Sequence, residues 1–174
     1  QSNQPSSYFK DVSSKLGHEH SDPYFNDFEA QPLLPYRLSQ PGPAVSFFDA
    51  NRDGYDDLFI GTGKSGKMAY YQNDGKGEFK NVSDPVLPLK PRNDLSGILG
   101  WHDTRGTHLV TGNYFYEDSS AIPPPFHSFS KGNAGFSRTS FTDGDTHMGT
   151  ATGPLAMADI DGDGSDEFIS GGYF

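Results

Sequence analysis

The sequence predicts an all-β fold of short antiparallel strands, and three observations indicate it. Glycine (21 residues) and proline (13 residues) are abundant, and aromatic residues make up 14% of the 174 positions. This composition suits short strands joined by tight turns and disfavours a bundle of long helices. Similar segments recur at an interval of about 55 residues, as in architectures built from repeated units. Each repeat also contains several short apolar stretches that are separated by turn residues.

The clearest repeat consists of residues 45–61 and 155–171. Both segments have an apolar lead-in, acidic or amide residues at alternate positions, a glycine and a second apolar stretch. Their loops begin at Asp49 and Asp159, which are 110 positions apart. A weaker copy lies midway, at residues 98–112, where Asp103 takes the place of Asp49 and the loop is about two residues shorter.

Four strand candidates follow one another in the first repeat, with turn residues between them. These candidates cover residues 44–48, 58–61, 68–72 and 78–82. Four antiparallel strands per repeat, arrayed radially, is the plan of a β-propeller. We therefore expect four-stranded antiparallel propeller blades.

The predicted organisation treats residues 1–174 as a partial β-propeller. Its parts are a leading strand at 1–16, an insertion at 17–40, a blade with an acidic loop at 41–94, a degenerate blade at 95–150, and the start of a further blade with an acidic loop at 151–174. Even a four-bladed ring of such repeats needs roughly 220 residues. We therefore expect an incomplete ring, completed by further blades of the same chain or by other protein chains.

The two acidic loops have the spacing of calcium sites. The predicted ligands are Asp49, Asn51, Asp53, Tyr55 and Asp57 in the first loop, and Asp159, Asp161, Asp163, Ser165 and Glu167 in the second. Calcium takes about six to eight oxygen ligands, which alternate side chains in a tight loop can supply, with Tyr55 and Ser165 contributing backbone carbonyls. An EF-hand is excluded because its twelfth position needs a glutamate, and Ile60 and Ser170 stand there. The sequence thus predicts two Ca²⁺ sites outside any EF-hand.

The middle loop is predicted to hold no metal. It lacks the second and third carboxylates of the other two loops, and Arg105 offers a positive charge in place of a cation. We expect the same strand–turn–strand path there without an ion.

The insertion at residues 17–40 leaves two interpretations open. His18 and His20 would point the same way on a strand, where they could ligate a transition metal or form part of a docking element. The alternative is a polar surface insertion, in which these histidines have no shared ligand.

The acidic loops resemble FG-GAP or VCBS repeats, as found in integrin α-subunit propellers and many bacterial surface proteins. The match lies in residues 45–61 and 155–171, which fit the pattern D-x-[DN]-x-D-G-x-x-[DE]. Residues 31–43 and the Phe9 segment are also similar to the N-terminal part of cartilage acidic protein-like, ASPIC/UnbV-associated propellers. The resemblance implies a calcium-stabilised, usually seven-bladed, exported propeller, which would be secreted, periplasmic or on the cell surface.

Composition excludes several other classes of protein. The formal net charge is −10, which disfavours binding to a nucleic-acid backbone. The sequence has no cysteine, and no apolar run approaches the roughly 20 residues of a membrane-spanning helix.

The leading hypothesis is a non-catalytic calcium-binding module for adhesion or assembly, with protein chains as partners and surface glycans as further candidates. The alternative is the propeller part of an exported calcium-dependent enzyme, such as a polysaccharide lyase.

Overall fold

A computed structural model describes residues 8–87, 90–117, 124–139 and 151–173. These residues form a mostly-β structure with two four-stranded antiparallel sheets and a two-stranded hairpin. Two helices, α1 (Ser13–Leu16) and α2 (Asp27–Ala30), precede the first sheet. In the part of the chain that the structure describes, no helix is long and apolar enough to cross a membrane.

The first sheet contains four strands in sequential order: β1 (Val45–Phe48), β2 (Asp57–Ile60), β3 (Ala69–Asn73) and β4 (Phe79–Asn81). Each bound lies within one residue of its sequence-based prediction. Strand β2 is buried along its whole length, because both of its faces are covered. At its centre, the fully buried Phe59 ring stacks on Tyr70 with 4.6 Å between ring centroids.

The second sheet repeats this meander in the region predicted as the degenerate blade. It contains β5 (Asp94–Asp103), β6 (Gly106–Tyr114), β7 (Phe126–Gly132) and β8 (Gly135–Thr139), again in sequential order. Strands β9 (Ala151–Ala158) and β10 (Glu167–Tyr173) form an antiparallel hairpin in the region that was predicted to begin a further blade. Of the predicted ranges 95–150 and 151–174, residues 118–123, 140–150 and Phe174 lie outside the described residues.

The three sheets pack against one another in chain order. Phe48 of β1 contacts Gly100 of β5 so closely that a Cβ atom at Gly100 would overlap the Phe48 ring. Strand β5 in turn contacts β9, where a Cβ atom at Gly97 would lie 2.8 Å from Leu155 Cγ. Strands that open successive sheets are therefore neighbours, and glycine permits their close approach.

The predicted leading strand at residues 1–16 is not present in the part that the structure describes. Residues 8–12 contain no strand, and Ser13–Leu16 forms α1; residues 1–7 lie outside the described ranges. The Asp11 carboxylate accepts hydrogen bonds from Ser13 N (2.9 Å) and Ser13 Oγ (2.6 Å), which turns the chain. Gly17, with φ of 59°, then ends the helix in a left-handed conformation. Local side-chain hydrogen bonds thus take the place of the strand pairing that was predicted for this segment.

The insertion at residues 17–40 runs across both four-stranded sheets. Gly63 N donates to Ser21 O (3.2 Å), and the Tyr114 hydroxyl donates to Leu38 O (2.9 Å). Between these points, the fully buried Asp27 accepts hydrogen bonds from Leu38 N (2.7 Å), Ser39 N (2.8 Å) and the Ser39 hydroxyl. Burial opposes ionisation of Asp27, but these hydrogen bonds hold the pKa of its carboxyl below the ordinary value. The insertion is thus an ordered part of the fold.

Candidate metal centre

The two acidic loops occupy equivalent places in the fold. The first joins β1 to β2 and the second joins β9 to β10. Residue Phe48 pairs with Asp57 across the first loop, and Ala158 pairs with Glu167 across the second. Eight residues lie between the two members of each pair. The ninth position of each loop, Asp57 or Glu167, is therefore the first residue of the second strand.

The first loop is organised by hydrogen bonds from its backbone to its own side chains. The two carboxylate oxygens of Asp49 accept from Asp53 N (3.0 Å) and Gly54 N (2.8 Å). Asn51 Oδ1 also accepts from Asp53 N (3.0 Å), and Asp53 Oδ1 accepts from Tyr55 N (3.0 Å). These bonds turn the first, third and fifth side chains toward the inside of the loop.

The second loop contains the same four hydrogen bonds at the same positions. The carboxylate of Asp159 accepts from Asp163 N (3.1 Å) and Gly164 N (3.0 Å). Asp161 accepts from Asp163 N (3.1 Å), and Asp163 accepts from Ser165 N (2.8 Å). Two loops 110 positions apart in the sequence therefore adopt one conformation.

Two positions in each loop have left-handed backbone conformations. The sixth position is glycine in both loops, and Gly54 and Gly164 have φ values of 91° and 89°. The fourth position is also left-handed, with φ of 77° at Gly162 and 61° at Arg52, and the sequence pattern gives no sign of it. A non-glycine residue in this region carries conformational strain of order 1 kcal/mol or more.

Contacts with the second sheet accompany the unusual conformation of Arg52. Its guanidinium donates to Gly106 O (3.0 Å) and approaches His102 Nδ1 (3.3 Å). Arg52 therefore joins the first acidic loop to the β5–β6 hairpin. No local sequence pattern could have indicated this role, because its partners are about 50 positions away.

The second loop brings three of its predicted ligands together. One carboxylate oxygen from each of Asp159, Asp161 and Glu167 lies within 4.8 Å of the others. Glu167 also accepts a hydrogen bond from Ile160 N (2.7 Å), which holds its side chain over the loop. Asp163 is not a member of this group. Carboxylate oxygens converging in this way are the ligand type that hard divalent cations prefer.

The ninth residue of the first loop is engaged differently. Asp57 is fully buried, and its carboxylate accepts hydrogen bonds from Tyr70 Oη (3.0 Å) and Asn73 N (2.9 Å) of β3. Burial raises the pKa of this carboxyl despite those hydrogen bonds. Among the described residues, the acidic side chains of the first loop do not form a group like that of Asp159, Asp161 and Glu167. Carboxylate oxygens can accept more than one partner, so Asp57 keeps acceptor capacity for an ion.

The middle hairpin has the predicted strand–turn–strand path, but its turn is shorter than predicted. Phe48 pairs with Asp57, nine positions later, whereas the equivalent His102 pairs with Thr107, only five positions later. The turn is therefore four residues shorter than the first loop, and the prediction of two was wrong. The length of the turn could not be predicted from the spacing of the repeats. Strand β5 extends to Asp103 and β6 begins at Gly106, so strand residues occupy positions that belong to the loop in the first sheet.

Asp103 is paired with cationic and hydrogen-bonding side chains. Its carboxylate contacts Arg105 Nη2 (2.9 Å) and His108 Nε2 (2.8 Å). Burial works against ionisation, yet hydrogen bonds from His108 and Arg105 hold the pKa of Asp103 well below its ordinary range. The guanidinium of Arg105 thus forms an ion pair with the Asp103 carboxylate.

The two histidines of the insertion contact different side chains. His18 Nδ1 lies 3.3 Å from the Tyr71 hydroxyl, whereas His20 lies 3.9 Å from the Asp22 carboxylate. The chain around them is not a strand, so the reason for expecting a shared direction does not hold. Among the described residues, neither histidine belongs to a group of three potential metal ligands.

Comparison of the sequence with protein-family models and with curated protein sequences gave no match.

Proposed function

We propose that this chain is a non-catalytic, calcium-binding β-propeller module of the FG-GAP/VCBS kind. The observation that carries the proposal is the shared conformation of the two acidic loops. Each loop has oxygen-bearing side chains at its first, third, fifth and ninth positions, and the same backbone hydrogen bonds orient three of them. Calcium is the proposed ion because a tight loop of carboxylate, amide and carbonyl oxygens suits its large and flexible coordination shell.

The packing of the sheets supports the propeller arrangement. Successive sheets begin with strands that lie side by side, with β1 against β5 and β5 against β9. The acidic loops and the middle hairpin all follow the first strand of their sheet. Such a repeat, with further blades of the same chain or other protein chains, forms a ring.

The proposed role is adhesion, protein–protein interaction or assembly outside the cytoplasm. Calcium loops of millimolar to micromolar affinity are filled in extracellular fluids, where calcium is abundant. A secreted, periplasmic or cell-surface location follows from that requirement. Proteins are the proposed partners, with surface glycans as a second class, and the net charge of −10 argues against nucleic acid.

Calcium-dependent thermal stability tests this function. Without an ion, the carboxylates of each loop repel one another, and a bound ion stabilises the folded state by mass action. Excess EGTA should therefore lower the melting temperature, and added CaCl₂ should restore it. An identical melting curve in EGTA and in CaCl₂ would contradict the proposal.

A further inference from the structure

A second group of carboxylates lies away from the acidic loops, where the insertion meets the two four-stranded sheets. One oxygen from each of Asp22, Asp94 and Glu117 lies within 4.8 Å of the others. Asp22 belongs to the insertion, Asp94 begins β5, and Glu117 follows β6. Three separate segments thus place negative charges together at one point.

The buried Asp94 side chain points into this group with an oxygen that has no partner. Asp94 is only 3% exposed, and its Oδ1 accepts a hydrogen bond from Lys64 N (2.8 Å). Its Oδ2 is shielded from water and has no hydrogen-bond partner among the described residues. Asp22 Oδ1 and Glu117 Oε1 are likewise buried and have no hydrogen-bond partner among the described residues. Buried polar atoms without partners are rare in folded proteins, and a bound ion or water is a common reason for them.

The neighbouring backbone is shaped to admit these carboxylates. A Cβ atom at Gly63 would lie 2.6 Å from Asp22 Cγ, so only glycine leaves room for this aspartate. Gly63 N donates to Ser21 O (3.2 Å), and Lys64 N holds Asp94 from the next position of the same loop. The β2–β3 loop therefore positions two of the three carboxylates from its own backbone.

The charges around the group do not balance it. Lys64 favours ionisation of Asp94 and Glu117, and His20 Nε2 lies 3.9 Å from Asp22 Oδ2. These two groups face three carboxyl groups. Burial, followed by the neighbouring carboxylates, raises the pKa of Asp94 to about 6 and that of Glu117 to about 7. The protein alone thus holds three acidic groups with insufficient compensation, which a divalent cation would supply.

We propose that Asp22, Asp94 and Glu117 bind a divalent cation that prefers oxygen ligands and fastens the insertion to the junction of the two sheets. The site takes Ca²⁺, Mn²⁺ or Mg²⁺, because its three protein ligands are carboxylate oxygens. The site is distinct from the two acidic loops, since it shares no residue with them and its ligands are half-buried or buried.

The test counts cations in a background where the acidic loops are disabled. Asp49→Asn combined with Asp159→Asn removes the first ligand of each loop. After equilibrium dialysis against CaCl₂ or MnCl₂, this variant should retain one cation per chain by elemental analysis. Adding Asp94→Asn should remove that cation, and adding Glu117→Gln in its place should weaken binding at least tenfold. This result is independent of the loops, so the cation at Asp94 should be found even if the calcium-loop proposal fails.

Thermal melting separates loss of the ion from loss of the fold. Asp94→Asn keeps the shape of the side chain and its acceptor for Lys64 N, and it removes one repelling charge. The parent here is the protein that carries Asp49→Asn and Asp159→Asn. In EDTA, adding Asp94→Asn should leave the melting temperature of this parent unchanged or raise it. Saturating cation should raise the melting temperature of the parent by about 5 to 10 °C and leave the variant unchanged.

Glu29→Gln is the matched control, because it removes one carboxylate from an exposed position of the same insertion. It should bind the cation as the parent does. If the cation count is the same with and without Asp94→Asn and Glu117→Gln, the proposal is overturned. A parent that binds no cation and is stabilised by Asp94→Asn in every buffer would also overturn it, and would identify a proton-sharing carboxyl group.

Discussion

The Tyr70 hydroxyl donates a 3.0 Å hydrogen bond to the Asp57 carboxylate. This bond links the end of the first acidic loop to the centre of the first sheet, where Tyr70 stacks on Phe59. The ordering of the loop and the packing of the core are therefore coupled through one buried carboxylate.

Tyr70→Phe should lower the free energy of unfolding by about 1 to 2 kcal/mol, because it removes a hydrogen bond to a buried acceptor. Phenylalanine keeps the ring that stacks on Phe59, so the effect reports the hydroxyl alone. The matched control is Tyr71→Phe, whose hydroxyl lies 3.3 Å from His18 Nδ1 and has no carboxylate partner among the described residues. Urea denaturation of both variants should show the larger loss for Tyr70→Phe; equal losses would contradict the coupling.

The two acidic loops should differ in calcium affinity, with the second binding at least tenfold more tightly. The second loop has Asp161 where the first has the neutral Asn51, and the first also contains the cationic Arg52. Isothermal titration of Asp49→Asn combined with Asp94→Asn would report mainly the second loop, and titration of Asp159→Asn combined with Asp94→Asn mainly the first. Asn51→Asp should tighten the first loop; weaker binding by that variant would show that ligand charge does not set the difference.

Gly100→Ala should destabilise the protein by about 2 to 3 kcal/mol, because its Cβ atom would overlap the buried Phe48 ring. This residue tests the contact between the first two sheets. Gly132→Ala is the control, since the nearest atom to its added Cβ is 4.0 Å away. Phe48→Leu should recover part of the loss when it is combined with Gly100→Ala. Equal effects of the two glycine substitutions in thermal melting would mean that the sheets do not pack as described.

Sequence reasoning located the strands of the first sheet well, because their signals are local. Alternating apolar residues and turn residues such as Gly54 place each boundary within one residue. The same local pattern missed Arg52, whose left-handed conformation depends on contacts with the next sheet. It also missed the partnership of Asp22, Asp94 and Glu117, because residues almost a hundred positions apart meet only in the folded chain. Tertiary contacts also turn Asp57 toward β3, although its spacing marks it as a calcium ligand.

Acidic pH should destabilise the protein through His127. Burial, followed by the Arg138 guanidinium, lowers the pKa of this imidazole from 6.5 to about 4. The folded state thus binds fewer protons than the unfolded state, so stability is lost as pH falls from about 6.5 toward 4. Arg138 Nη2 lies 2.6 Å from Nδ1 and donates to it, which requires that nitrogen to be unprotonated.

His127→Gln removes this titration while keeping a polar side chain at the site. Allowing for partial exposure, we expect wild type to lose about 1 to 2 kcal/mol more than the variant between pH 7.5 and pH 5. Urea denaturation in saturating CaCl₂ at both pH values measures the difference. Parallel pH profiles for the two proteins would show that His127 does not contribute.

The number of calcium ions bound per chain tests the account most directly. Equilibrium dialysis with elemental analysis should be applied to wild type, to Asp103→Asn, and to Asp49→Asn combined with Asp159→Asn. Asp103 holds the first position of the middle hairpin, but Arg105 and His108 already occupy its carboxylate. Asp103→Asn should therefore bind as many calcium ions as wild type, and the double variant should bind two fewer. The same calcium content in the double variant and wild type would contradict the assignment of the acidic loops as calcium sites.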